Sequence, residues 1–106
     1  MRKSERKRWS EVRKKILERD KDCIICKIIN KNKIHKPRGL STHHLIPETF
    51  EEFRFDEKNL ITLCTFHHKG KYSAHQNPFW FVNFIKKYYS GLYECIMTNL
   101  QKEDIK

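Results

Sequence analysis

Apolar residues recur at helical spacing near the start of the chain. In SERKRWSEVRKKILERD, residues 4–20, Trp9, Val12 and Ile16 share one face with Leu17 beside them, and Arg and Lys fill the others. The pattern predicts a basic amphipathic helix over 4–20, whose charged face suits either phosphates or plain solvent. Between Asp20 and Cys26 the helical period breaks into a tight CIIC turn. The polar stretch NKNKIHKPRG, with Pro37 and Gly39, reads as a loop. LSTHHLIP reads as a short extended segment ending at Pro47, PETFEEFRFDEKN as a loop without clear period, and LITLC at 60–64 as a second short strand. TFHHKGKYSAHQ is a helix start or irregular segment, with Gly70 weakening any long helix. Asn77-Pro78 supplies an N-cap and a proline at the first helical position. FWFVNFIKKYY then opens the longest helix candidate, apolar nearly all round through Phe84 and so expected in the core. Ser90-Gly91 is expected to interrupt it before LYECIMTNL resumes, giving a C-terminal helical segment over 78–101.

Composition bounds what these elements can build. With 106 residues, 38% of them apolar, the chain has the size of one domain, and a domain this small often needs a metal or disulfide as reinforcement. No stretch approaches the roughly 20 apolar residues of a membrane span, and no apolar segment follows the basic N-terminal run. A cytoplasmic location without membrane association is therefore expected, which places Cys23, Cys26, Cys64 and Cys95 in a reducing compartment. The 23 Lys and Arg against 13 Asp and Glu leave a formal charge of +10, which favours a polyanionic partner, nucleic acid first.

Two constellations carry candidate chemistry. Cys23-x-x-Cys26 and Cys64-x-x-His67 are two short-spaced pairs of soft ligands, the arrangement a closed tetrahedral zinc site needs. Residues 27–63 lie between the pairs, a longer insert than in short finger patterns, so the pairs would cross-brace an inserted unit. The competing reading is a redox CxxC, which lacks a surrounding strand–turn–helix pattern here. Cys95 stands alone and reads as a small buried apolar residue. The second constellation is His43-His44, Asn59 and His68. Neutral imidazole is both a common metal ligand and a base suited to neutral pH. Adjacent residues on a strand point to opposite faces, so His43 and His44 cannot share one task unless the strand ends or twists there.

HHLIP, a spacer and KNLITLCTFHH, preceded by a CxxC after a basic helix, resemble the HNH endonuclease family from Trp9 to His75. The resemblance implies an α+β fold in one domain over 1–106. A zinc-braced ββα-metal core at 23–75 would be flanked by the N- and C-terminal helices. It implies a DNA endonuclease in which His43 and His68 hold a catalytic divalent ion, His44 is the general base, and Asn59 braces the loop and helps orient that base. Two departures stand out. His67 occupies a place that is usually Cys, making the zinc set Cys3His, and His43 stands where many members have Asp. The cofactors implied are one structural Zn2+ and one catalytic Mg2+, Mn2+, Ni2+ or Zn2+, the nitrogen ligands favouring the softer ions. The implied partner is double-stranded DNA in a phage or mobile-element setting, with packaging machinery a partner by analogy alone.

Position alone makes Arg54, Lys69 and Lys71 phosphate-binding candidates. His75 follows His68 by about two helical turns and would join the same site if the helix were continuous. His35 is expected to be solvated. The run Phe79-Trp80-Phe81 with Phe84, Tyr88 and Tyr89 reads as core before it reads as a base-stacking platform. The rival function is a non-catalytic, zinc-stabilised nucleic-acid-binding module. Four zinc ligands, however, leave His43, His44 and His68 without a structural task. An interaction adaptor would need an exposed apolar face, and the basic charge weighs against it.

Overall fold

A computed structural model describes residues 2–105, so Met1 and Lys106, the ends of the expected 1–106 span, lie outside the described residues. Among the described residues the fold is α+β: two antiparallel strands and five α-helices. The chain forms two compact units, Met1–Cys64 and Thr65–Lys106.

The first unit opens with α1 (Lys3–Asp20), followed by α2 (Cys26–Ile29), β1 (Leu40–His44) and β2 (Leu60–Cys64). Single 3-10 turns at Pro37–Gly39, Glu51–Phe53 and Glu57–Asn59 punctuate its loops. The face predicted for α1 is the one it covers: Ile16 is buried, while Trp9, Val12 and Leu17 are half-buried. The helix ends at Lys21, whose positive φ of 69° is a region usually left to glycine, with its N–H on the Leu17 carbonyl. β1 pairs with β2 in the register Leu40↔Cys64, Thr42↔Thr62 and His44↔Leu60. Side chains alternate along a strand, so Leu40, Thr42 and His44 share one face and Ser41 and His43 the other.

A buried acid ties α1 to β2. Asp20 accepts two bonds from the Arg19 guanidinium, at 2.8 and 3.1 Å, and one from the Thr62 N–H at 2.9 Å. Arg19 also donates to the carbonyls of Glu57 and Leu60. A buried carboxylate is tolerable only with its lone pairs filled in this way. The core around it is Ile16, Ile25, Ile46, Leu60 and Leu63, each fully buried.

The second unit comprises α3 (Thr65–Lys69), α4 (Pro78–Tyr88) and α5 (Ser90–Ile105), with α4 packed on α5. Gly70 follows the end of α3, and only glycine fits there because a Cβ would stand 2.4 Å from the Phe66 carbonyl oxygen. Asn77 caps α4 by accepting the Trp80 N–H, and Pro78 takes the first helical position. Three expectations are corrected in this unit. α4, with 11 residues, is shorter than α5 with 16 and α1 with 18. It is also amphipathic: Phe81, Phe84 and Ile85 are buried, but Phe79 is 91% exposed and Val82 and Tyr88 are exposed. Its partner α5 covers one stripe, and apolar residues outside that stripe face solvent. Cys95 is half-buried on α5 instead of buried. Among the described residues, no helix is long and apolar enough to cross a membrane.

Candidate metal centres

The first knuckle is shaped by hydrogen bonds around Asp22. Its carboxylate accepts the N–H of Cys23 at 2.6 Å and that of His35 at 2.9 Å, and the His35 ring Nδ1 at 2.6 Å. Burial opposes ionisation of this carboxyl, but the His35 and Cys23 donors hold it below the usual carboxylate range. His35 is thus not solvated as expected; 13% of its side chain is exposed, because the polar loop doubles back and its ring clips onto Asp22. Cys26 then opens α2, whose Lys27 N–H returns to the Cys23 carbonyl. Cys64 ends β2, and His67 follows three residues later in α3.

Cys23, Cys26, Cys64 and His67 are buried and offer ligand atoms that all lie within 4.8 Å of one another. The Sγ atoms of Cys26 and Cys64 are 3.8 Å apart. That is far beyond a disulfide bond and close to the edge, about 3.8 Å, of a tetrahedron with metal–sulfur arms of ~2.3 Å. Burial pushes the Cys23 and Cys26 thiols up, and their neighbouring sulfurs add to the effect. A cation reverses this logic by stabilising the thiolates. The donor set is closed and buried, so it can hold a structural metal ion such as zinc.

His43, His68 and His75 form a second group whose ligand atoms also lie within 4.8 Å of one another, with His75 exposed and the other two half-buried. The Nε2 atoms of His68 and His75 are 3.1 Å apart, within the span of about 3.0–3.4 Å for two cis nitrogens on one ion. Burial lowers the pKa of His68, and the charges of His75 and Lys69 lower it further, which favours the neutral ring that a metal requires. His67 therefore groups with the thiols and His68 with the histidines. No continuous helix brings His75 to His68. α3 stops at Lys69, and the following turn folds back with the Ala74 N–H on the His67 carbonyl and the Gln76 side-chain amide on the Lys69 carbonyl.

His44 belongs to neither group. It is the last residue of β1, with its ring stacked on Trp9 at 4.9 Å and 16° between planes. Its Nε2 lies 3.0 Å from the Arg54 carbonyl oxygen. A carbonyl can only accept, so Nε2 carries a proton, and the tautomer that fits this bond has Nδ1 as its acceptor. Asn59 is fully buried beneath the β1–β2 loop. It accepts the Ile46 N–H at 2.6 Å and donates to the carbonyls of Ile46 and Phe53, while its own carbonyl takes the Leu45 N–H. Asn59→Ala would strand three buried backbone groups. It is expected to lower stability by about 3 kcal/mol, read as a lower urea midpoint of the metal-loaded protein with faster amide exchange at Ile46.

The three phosphate candidates differ. Lys69 and Lys71 are exposed, Lys71 with its ammonium 5.9 Å from the Tyr72 ring. The Arg54 guanidinium is engaged by the Glu48 carbonyl and the Glu5 carboxylate, leaving its backbone carbonyl as its contribution to His44. Sequence reasoning missed the Trp9–His44 stack and the Asp22–His35 clip. Trp9 reads from the sequence as part of the apolar face of α1, but nothing in the sequence pairs it with His44. No family model, curated protein or solved structure matches this chain.

Proposed function

We propose that this chain is an HNH-type, metal-dependent endonuclease that hydrolyses phosphodiester bonds of double-stranded DNA. In this reading β1, β2 and α3 form the ββα-metal core. The observation that carries it is the second ligand group, His43, His68 and His75. Cys23, Cys26, Cys64 and His67 already suffice for a closed zinc site. Three further imidazoles, one of them exposed, are not needed to close that site and suit an ion with open positions. A divalent ion held there would act as a Lewis acid toward the scissile phosphate and the departing 3′ oxygen.

The remaining steps belong to side chains of this chain. His44 accepts a proton from water at Nδ1, and the oxygen so activated attacks phosphorus as the bond to the 3′ oxygen breaks. The Arg54 carbonyl holds the tautomer that makes Nδ1 available, and Trp9 holds the ring plane. Asn59 is a positioning residue: it fixes the loop that brings the Arg54 carbonyl to His44. Lys69 and Lys71, exposed and close in sequence to His68, supply positive charge for the phosphates, and the net charge of +10 favours the polyanion as a whole.

The test is plasmid cleavage by protein carrying its structural zinc but stripped of other ions, with magnesium, manganese, nickel or zinc added back. Nicking or linearisation that requires added metal is the expected result. Binding of duplex DNA without cutting under any of these ions would overturn the endonuclease reading in favour of a zinc-stabilised binding module, and cutting of duplex RNA alone would overturn the choice of substrate.

A further inference from the structure

A groove of about 300 Å³ opens between α1 and the β-hairpin, and none of its lining residues belongs to either ligand group. Arg13 and Lys14 line its helix side, and Thr42 and Thr62 its strand side. Leu17 and Leu40 give it an apolar wall. The hairpin register sets Thr42 directly across from Thr62, so both project from the face that carries His44.

Thr62 marks the groove as more than a crevice. It is 2% exposed, its N–H donates to Asp20 and its carbonyl accepts from Ile24, yet its hydroxyl has no partner among the described residues. A buried unpaired hydroxyl is destabilising and uncommon, and beside a groove it is a hydrogen-bonding group that a ligand can satisfy once the groove opens to it. Arg13 and Lys14 are exposed, with no ion pair among the described residues. The acid bonded to Thr62, Asp20, is matched by Arg19. The groove is therefore cationic at its rim, carries hydroxyl donors on its strand side, and is apolar along one wall.

The geometry points to a binding site for a phosphate ester, its phosphate taken by Arg13, Lys14 and the Thr62 hydroxyl and its carbon body laid against Leu17 and Leu40. Arginine and lysine are the side chains suited to this anion, and the volume exceeds what bare phosphate fills. The same chemistry is offered by a free sugar phosphate and by the backbone of a nucleic acid. The site does not rest on the nuclease reading, since occupancy requires no cleavage.

The test is an amide-shift NMR titration of the zinc-loaded full chain at fixed ionic strength, with ribose 5-phosphate in one arm and a short DNA duplex in the other. Saturable shifts at Arg13, Lys14, Thr42 and Thr62 are expected with at least one probe. Saturation by ribose 5-phosphate identifies a free ester as sufficient; saturation by the duplex alone identifies the backbone as the source. Thr62→Val keeps the shape and removes only the orphan hydroxyl, so it is expected to fold with undiminished stability and to bind about tenfold more weakly. Arg13→Gln with Lys14→Gln is expected to weaken binding by at least that factor. Lys3→Gln with Lys7→Gln removes the same charge elsewhere on α1 and is expected to leave it unchanged. The proposal is overturned if neither probe saturates the groove, if Thr62→Val binds as the parent does, or if both double variants lose affinity equally.

Discussion

His44→Ala is expected to slow metal-dependent plasmid cleavage by about 10²- to 10⁴-fold, the usual contribution of a positioned general base. The reason lies in one hydrogen bond. With its Nε2–H donating to the Arg54 carbonyl, the tautomer this bond selects presents Nδ1 as its basic atom. Stacking on Trp9 restricts the ring, so that basic atom is held in direction as well as in protonation state. Alanine removes the base but leaves His43, His68 and His75 in place, so duplex binding measured by fluorescence anisotropy should be preserved. Added imidazole should restore part of the rate, a rescue that a merely structural loss would not show. Cleavage by His44→Ala at the parent rate, or a loss that imidazole does not touch and that tracks unfolding, would remove His44 from the reaction.

Stripping the structural metal is expected to unfold the first unit. A structural zinc in small domains supplies on the order of 10–16 kcal/mol of apparent binding free energy at neutral pH, comparable to or larger than the entire 5–15 kcal/mol by which domains are usually stable. Here the three thiols are buried with the core residues Ile24, Ile25 and Leu63, so losing the ion exposes the core itself. A strong chelator should abolish the near-ultraviolet circular dichroism, and cobalt should restore it with the visible bands of tetrahedral sulfur-rich coordination. Cys64→Ser should do the same without chelator. Native spectra and an unchanged melting curve after complete metal removal would show that the four residues are not a folding site.

The direction of the pH effect follows from the thiols. In the metal-free fold Cys23 and Cys26 are pushed above the ordinary value of 9.0, chiefly by burial. Whatever stability the fold retains without an ion is therefore undiminished below that value and falls as the pH rises beyond it. Metal loading has the opposite slope, because each bound sulfur must release a proton; acidification should discharge the ion and alkalinity should favour it. Zinc competition titrations between neutral and mildly acidic pH check the sign.

Much of the architecture was legible because it is local. The spacing of Trp9, Val12, Ile16 and Leu17 identifies the covered face of α1, and LITLC falls on β2 residue for residue. Asn77-Pro78 marks the start of α4 through capping chemistry that needs no tertiary partner. The paired spacings Cys23-x-x-Cys26 and Cys64-x-x-His67 named the buried ligand group for the same reason, since each knuckle is a short turn. The apolar surroundings predicted for α4 were wrong because hydropathy reports what a helix can bury and not how much of it a neighbour covers.

By itself, then, the sequence determined α1, the two strands, the start of α4, the thiol knuckles and the number of histidines. Tertiary structure alone decided what each histidine meets. His35 is clipped to Asp22, His44 is held between Trp9 and the Arg54 carbonyl, and His75 is turned back to His68 by a loop that begins at Gly70. The physical reason is that an imidazole can serve as ligand, base, donor or packing plate with the same atoms. Which of these it becomes depends on partners that only chain reversal brings within hydrogen-bonding distance.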